Sequence, residues 1–115
     1  MKSFKESHSH EERLNESSKI MKRYPTRIPI IVEKQYGCKL DNLTKNKYLA
    51  PQDMTMSQFL FMVRRRIKLE PSEAIFLMVN RTLVSGSQPI YKIYEDHKDS
   101  DGFLYMIYTS ENTFG

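Results

Sequence analysis

Polar and apolar residues near the start of the chain follow the spacing of a helix. Ser9 and Glu12 have the S-x-x-E spacing of a capping box, in which each side chain satisfies a free backbone group of the first turn. A helix is predicted from about residue 10 to Tyr24, and Pro25 ends it because proline cannot continue a helix. The preceding segment, Lys2 to Ser7, is short and is expected to form a frayed turn of helix.

Short apolar and β-branched runs separated by turn residues predict five strands in the rest of the chain. These strands are Arg27 to Glu33, Lys47 to Ala50, Ala74 to Val79, Thr82 to Val84 and Phe103 to Tyr108. Pro29 lacks a backbone N–H, so the first strand is expected to begin there or to lie beside an open edge. Two helices separate the strands, one from Ser57 to about Leu69 and a short one after Ser87.

The order of elements, a helix followed by ββαββαβ, limits the arrangement of the sheet. The two long apolar strands late in the chain must lie inside the sheet and the early hairpin outside them, with one helix covering a face. This is the order of the ubiquitin β-grasp, an α+β fold, extended at its N-terminus, although the pattern alone leaves other strand orders open. One domain over residues 1–115 is predicted, with a helical extension at 1–24, a core at 27–108 and a polar tail at 109–115.

The composition is that of an ordinary globular protein, and it excludes several classes of protein. Hydrophobic residues make up 39% and charged residues 28% of the chain, and no apolar run approaches the roughly 18 residues of a membrane span. The charged N-terminus is unlike a secretory signal, and the single cysteine, Cys38, fits a reducing compartment, most simply the cytosol. The net charge of +4 suggests an acidic partner such as nucleic acid, anionic lipid or an acidic peptide, although a solvated surface explains it equally well.

The reactive side chains do not form the pattern of an enzyme or of a metal site. His8 with His10, and the acidic stretch 96–101, have no third or fourth ligand at the usual metal-binding spacing. Cys38 has no identifiable base beside it. The run Arg64–Arg66 points in three directions on a helix, which favours a solvated rim. A small basic nucleic-acid binder remains an alternative, but aromatic residues interleaved with basic ones are lacking.

Four segments carry a resemblance to a known family. Lys22–Lys34, read as KRYPTRIPIIVEK, resembles the "KYPxRxPVIxEK" segment of the autophagy ubiquitin-like modifiers, the family of the microtubule-associated light chain and the GABA-receptor-associated protein. Lys45–Pro51, Met54–Ile67 and Asp101–Gly115 match further family segments, so the resemblance covers nearly the whole chain. The ending ENTFG is similar to a subset of members, some from plants. The family fold places two N-terminal helices on a ubiquitin-like core, which agrees with the predicted order.

Three positions depart from the family pattern. The loop Val84–Pro89 replaces a proline-rich loop, and its Ser-Gly-Ser sequence predicts greater backbone freedom. Ala50 replaces a usual valine, and His8-Ser9-His10 replaces an aromatic-containing junction between helices.

The resemblance implies that the terminal Gly115 is joined to the amine of phosphatidylethanolamine. An activating and a conjugating enzyme, each with a reactive cysteine, would catalyse this reaction, and a processing or deconjugating cysteine protease would act on the same end. Glycine suits a narrow active site because it lacks Cβ. Most family members are trimmed first, whereas this sequence has nothing beyond Gly115 to trim. The implied function is recruitment of cargo receptors and machinery to autophagosomal membranes, by a protein that is otherwise cytoplasmic and that needs no cofactor. Association with the vacuole, the lysosome or microtubules is also compatible with the resemblance, and the alternative is an unconjugated soluble adaptor in trafficking or on microtubules.

The resemblance also implies two pockets that accept a peptide of the form aromatic-x-x-aliphatic as an added strand. The first pocket, for the aromatic residue, consists of Glu16, Ile20, Pro29, Lys47, Leu49 and Phe103. The second pocket, for the aliphatic residue, consists of Tyr48, Ala50, Pro51, Met54, Phe59, Met62, Val63 and Arg66. Acidic residues beside such a motif would meet Lys45, Lys47 and Arg66.

From the sequence alone, these same residues also fit a lysine-protected edge strand and a buried helix face. A second docking surface, for helices that resemble ubiquitin-interacting motifs, is implied at Phe76, Leu77, Met78 and Val79, where a core strand is the competing interpretation.

Overall fold

The helices and strands follow the predicted order. The computed structural model describes residues 2–110. In this part of the chain the elements are α1 Phe4–Ser7, α2 His10–Arg23, β1 Arg27–Lys34, β2 Lys47–Pro51, α3 Met56–Arg66, β3 Ile75–Val79, β4 Thr82–Leu83, α4 Ile90–His97 and β5 Leu104–Ser110.

Complete capping boxes begin the first three helices. In α2, the Ser9 hydroxyl accepts a hydrogen bond from the Glu12 N–H at 3.1 Å, and the Glu12 carboxylate accepts one from the Ser9 N–H at 2.7 Å. The same reciprocal pair, formed by Ser3 and Glu6, begins α1. The first segment is therefore a capped turn of helix rather than a frayed one.

The five strands form one mixed sheet in the order β2-β1-β5-β3-β4. β1 pairs antiparallel with β2 and parallel with β5, and β3 pairs antiparallel with β5 and with β4. The two late apolar strands, β3 and β5, thus lie inside the sheet, and the β1–β2 hairpin lies outside them as predicted. β3 turns into β4 through Asn80 and Arg81, whose φ angles of 50° and 63° are those of a tight hairpin turn.

Pro29 lies inside β1 and not at its start. The strand begins at Arg27, and Pro29 stands opposite Leu49 of β2. Pairing of β1 with β5 begins one residue later, at Ile30 opposite Leu104. Pro29 therefore lies where one side of β1 is not yet paired, which is how the strand accommodates a residue without an N–H.

The sheet separates two apolar clusters. The larger one lies under α3 and α4 and includes Phe59, Val63, Ile90, Ile93 and the inward side chains of β1, β3 and β5. The smaller one lies under the N-terminal helices and consists of Phe4, Ile31 and Phe103, with Ile20 and Tyr105 packed against it. The N-terminal extension therefore packs on the face of the sheet opposite α3 and α4, over β1 and the start of β5.

Two predicted boundaries differ from the observed ones by more than one residue. α3 ends at Arg66 and not near Leu69, because Ile67 adopts an extended conformation with ψ of 121° and buries its side chain in the core. β5 continues through Ser110, and Thr109 is fully buried, so these two residues belong to the strand and not to the tail. The rest of the predicted tail, residues 111–115, lies outside the described residues.

The loop Val84–Pro89, which replaces the family's proline-rich loop, is held by backbone hydrogen bonds. The Gly86 carbonyl accepts from the Ser57 N–H and the Gln88 carbonyl accepts from the Met56 N–H, each at 2.9 Å. A Cβ at Gly86 would collide with the Ser57 hydroxyl, so glycine permits this close approach. The loop thus satisfies free N–H groups at the start of α3, a role that its sequence did not indicate.

Candidate peptide-docking site

β2 has a free backbone edge, because it pairs only with β1 among the described strands. Hydrogen bonds from the Val32 N–H to the Asn46 carbonyl and from the Gln52 N–H to the Thr26 carbonyl fix the alternation along this pair. The backbone groups of Tyr48 and Ala50 therefore point toward β1, whereas those of Lys47 and Leu49 point away from the sheet. This arrangement can accept a further strand.

One of the outward groups already has a partner. The Arg27 guanidinium donates to the Leu49 carbonyl at 3.2 Å. Arg27 is exposed, and it was not among the predicted site residues. Its role depends on the register of β1 against β2, which places Arg27 opposite Pro51, and sequence spacing gives no signal for such a contact.

Most residues of the first pocket come together between α2 and β2. Pro29 and Leu49 are direct partners across the β1–β2 pair, and Ile20 and Phe103 belong to the smaller apolar cluster. Pro29 and Phe103 are buried, so they form the floor, while Ile20 and Leu49 are half-buried and form the walls. The pocket thus has one wall on the N-terminal extension and the other on the sheet.

Lys47 joins the two walls of the first pocket. Its ammonium forms an ion pair with the carboxylate of Glu16 on α2, and both side chains are about one-third exposed, at 36% and 34%. The same ammonium lies 5.5 Å from the centre of the Phe4 ring. Phe4 was not predicted as a site residue. As a single aromatic residue in a polar N-terminal segment, it could have indicated a contact with the rest of the protein.

The second pocket has a buried floor under α3. Tyr48 and Phe59 pack edge to face with ring centres 6.0 Å apart, and Ala50 and Val63 belong to the same cluster. These four side chains are at most 5% exposed, so they are core residues that form the floor of the pocket. Met54 and Met62 pack against the cluster and are half-buried, so they form the accessible apolar rim.

The alternation of β2 bears on the assignment of one residue. Pro51 is half-buried like Lys47 and Leu49, whereas Tyr48 and Ala50 are buried on the opposite side of the strand. The alternation therefore favours the face of Lys47 and Leu49 for Pro51, and its assignment to the second pocket stays a prediction.

Two cations stand at the rim of the second pocket. The Lys45 ammonium and the Arg66 guanidinium each lie 5.6 Å from the centre of the Tyr48 ring. Burial raises the pKa of Tyr48 against the opposing effect of Arg66, so its hydroxyl stays protonated and donates to the Lys45 carbonyl at 2.7 Å. The rim is therefore positively charged, which suits a peptide with acidic residues beside its apolar anchors.

The residues implied as a second docking surface lie on both faces of the sheet. Leu77 and Val79 are 4% and 0% exposed and belong to the core under α3. Phe76 and Met78 are half-buried on the other face, where Met78 pairs with Ile107 of β5. The four residues thus do not share one surface, because side chains alternate along a strand, and only Phe76 and Met78 can contribute to a docking face.

The remaining candidate clusters have structural partners. His10 Nε2 lies 3.0 Å from the Ser100 hydroxyl, and His97 Nδ1 lies 3.1 Å from the Asn80 amide. Within residues 2–110, no group of three or more His, Cys, Asp or Glu side chains is placed to hold a metal ion. No helix in this part of the chain is long and apolar enough to cross a membrane. The predicted conjugation residue, Gly115, lies outside the described residues.

Fold and site together define an α+β protein of the ubiquitin-like type, with two N-terminal helices beside an open edge strand. A family model described as "Autophagy protein Atg8 ubiquitin like" matches residues 12–115. Autophagy-related protein 8a of Arabidopsis thaliana is 51% identical over 98% of this chain and 93% of its own length. Autophagy-related protein 8i of the same plant is 47% identical over the full length of both chains. The chain is a member of the Atg8 family of autophagy-related ubiquitin-like proteins.

A solved structure agrees with this assignment. The crystal structure of Trypanosoma brucei ATG8 has a TM-score of 0.90, 40% sequence identity and coverage of 96% of both chains. The members of this family are modifiers and adaptors and not enzymes, and they interact with the machinery and receptors of autophagy.

Proposed function

We propose that this chain is a lipid-conjugated modifier that recruits cargo receptors to autophagosomal membranes by binding aromatic-x-x-aliphatic peptides along β2. The observation that supports recognition best is the free backbone edge of β2. It lies between apolar side chains beside α2, where Lys47 pairs with Glu16, and apolar side chains beside α3, where Lys45 and Arg66 stand at the rim. An incoming strand would form backbone hydrogen bonds with Lys47 and Leu49, with Arg27 leaving or sharing the Leu49 carbonyl. It would insert one anchor on each face of the sheet.

We propose different anchors for the two pockets. The floor of the first contains the buried Pro29 and Phe103, and Lys47 pairs with Glu16 at its rim, which suits an aromatic ring. The second has the rim Met54 and Met62, and methionine side chains adapt to branched aliphatic groups. Acidic residues before the aromatic anchor would approach Lys45 and Lys47.

The second part of the proposed function is membrane anchoring, which we assign to Gly115. ATP would convert its carboxylate to an acyl adenylate with release of pyrophosphate, and an enzyme cysteine would displace AMP to form a thioester. The amine of phosphatidylethanolamine would then displace the thiol and form an amide. The family membership supports this chemistry. The protein would be cytoplasmic before conjugation and held on the autophagosomal membrane afterwards.

The peptide site can be tested with matched leucine and methionine variants. Leu49→Ala shortens a half-buried wall of the first pocket, and Met62→Ala shortens the rim of the second. Each substitution is expected to raise the dissociation constant of an acidic aromatic-x-x-aliphatic peptide about tenfold, or about 1.4 kcal/mol, as measured by calorimetry. Leu83→Ala is the control, because Leu83 is an exposed leucine on β4 at the opposite edge of the sheet.

An unchanged dissociation constant for Leu49→Ala and Met62→Ala would reject this site. A loss confined to Leu83→Ala would place recognition at the opposite edge instead. Tyr48 is unsuitable for this test, since its side chain is 5% exposed and its truncation would damage the core.

A further inference from the structure

The side chains that α2 buries are polar. Arg13 and Ser17 are the buried residues of this helix, whereas Leu14 is 41% exposed and Ile20 and Met21 are half-buried. A helix on a sheet is normally held by an apolar stripe. In α2, directional hydrogen bonds from the buried side chains accompany the packing of Ile20 and Met21 against the two clusters.

Both buried side chains of α2 bond to the same residue. Arg13 Nη1 donates to Asp101 Oδ2 at 2.5 Å, and the Ser17 hydroxyl donates to the Asp101 carbonyl at 2.5 Å. Asp101 is fully buried and the Arg13 side chain is 10% exposed. Polar groups at such a site are costly to leave unpaired, so the contact is maintained in the folded protein.

Asp101 is itself held rigidly in the turn before β5. Its Oδ1 accepts from the Phe103 N–H at 2.8 Å, and its Oδ2 also accepts from the Tyr105 hydroxyl at 2.5 Å. Gly102 has a φ of +88°, and a Cβ there would collide with the Ser17 hydroxyl, so the turn is shaped for the close approach of α2. The sheet thus offers a fixed point to which the helix is attached.

This attachment lies next to the first pocket. Glu16 and Ile20 each follow a buried anchor residue by three positions, which places them about 60° around the helix from Arg13 and Ser17. They form the wall that faces Lys47 and Leu49. A rotation or shift of α2 would therefore change the width of the first pocket and leave the second, which is built on α3, unaffected.

We propose that Arg13, Ser17 and Asp101 are positioning residues that set the width of the first pocket for the aromatic anchor of a bound peptide. They do not touch the peptide. The inference rests on the proposed peptide function and adds a requirement to it, namely that recognition of the aromatic residue depends on how α2 is attached to the sheet.

The test compares two peptides on three variants by NMR titration, which measures millimolar as well as micromolar dissociation constants. One peptide has the form acidic-aromatic-x-x-aliphatic, and the other has alanine in place of the aromatic residue. Ser17→Ala and Asp101→Asn weaken the attachment. Asp96→Asn is the control, because it removes a carboxylate from an exposed pair with Lys92 on α4.

Ser17→Ala and Asp101→Asn are expected to lower the affinity for the aromatic peptide by about fivefold or more, since the pocket would lose its fixed width. The alanine peptide should bind all variants within about twofold of the parent, and Asp96→Asn should leave both peptides within the same range. If Asp101→Asn does not fold, Ser17→Ala decides the question, because it removes one hydroxyl and leaves the ion pair in place.

Three outcomes would overturn the inference. Equal affinity of the parent and Ser17→Ala for the aromatic peptide would show that the attachment does not control the pocket. An equal loss for both peptides would indicate general destabilisation. Failure of the parent to bind either peptide would reject the inference together with the proposed function, whereas the first two outcomes leave that function intact.

Discussion

At the scale of single residues, the alternation along β2 decides which side chains can meet a ligand. Tyr48 and Leu49 are neighbours in the sequence, but Tyr48 is 5% exposed under α3 while Leu49 is half-buried on the opposite face. The family resemblance assigned Leu49 to the first pocket and Tyr48 to the second. It did not indicate that the Tyr48 side chain is buried, because burial depends on which face α3 covers.

Truncation of Tyr48 should therefore act on stability. Tyr48→Ala would remove a ring that packs on Phe59, so the free energy of unfolding in urea should fall by about 3 kcal/mol. Tyr36→Ala is the matched control, because Tyr36 is fully exposed at 101%, and its effect should be within about 0.5 kcal/mol. Equal unfolding free energies for the two variants would contradict the burial of Tyr48.

At the scale of elements, three helix starts share one capping geometry with different chemistry. The boxes of α1 and α2 end in Glu6 and Glu12, whereas that of α3 ends in Gln58. The backbone and side-chain hydrogen bonds of Ser9 hold the pKa of Glu12 below its ordinary value of 4.5, and those of Ser3 do the same for Glu6. Acid can therefore protonate the carboxylates in the capping boxes of α1 and α2, whereas the Gln58 side chain in the box of α3 does not titrate.

Acid should loosen the first two helices before the third. A carboxyl whose pKa is lower in the folded state stabilises that state above the unfolded pKa of 4.5, and the contribution is lost as the pH falls through the folded pKa. Between pH 6 and pH 3, the Ser9 amide should therefore lose protection against hydrogen exchange relative to the Thr55 amide, after correction for intrinsic rates. Glu12→Gln should abolish this difference, and a parallel change at Ser9 and Thr55 in the parent would argue against a titrating cap.

At the scale of the whole molecule, the sequence predicted the element order, because apolar runs, caps and prolines are local signals. The pattern left several strand orders open, and the family resemblance favoured the one observed. The sequence did not predict the attachment of α2 through Arg13 and Asp101, which are 88 positions apart. It also missed the contact from Arg27 to Leu49 and the caps that the loop 84–89 gives α3. Each of these depends on register or on long-range packing, for which one sequence provides no signal.

At this scale, we assign recognition and anchoring to different residues of the chain. The two pockets involve residues 16 to 66 and Phe103, whereas the proposed conjugation residue is Gly115. We propose that the two functions are independent, and changes at independent sites usually act additively to within about 0.5 kcal/mol. Deletion of Gly115 is therefore expected to leave the affinity for the test peptide within about twofold of the parent.

The most direct test of the central claim is the intact mass of the protein after incubation with the activating and conjugating enzymes, ATP and liposomes that contain phosphatidylethanolamine. The parent should gain the mass of one phosphatidylethanolamine less one water, as expected for a single amide at Gly115. The Gly115 deletion should gain nothing, because Phe114 would then carry the carboxylate and its side chain would not fit a narrow active site. An unmodified parent, or a deletion variant that is conjugated as well as the parent, would contradict the proposal that this chain is a lipid-anchored modifier joined through Gly115.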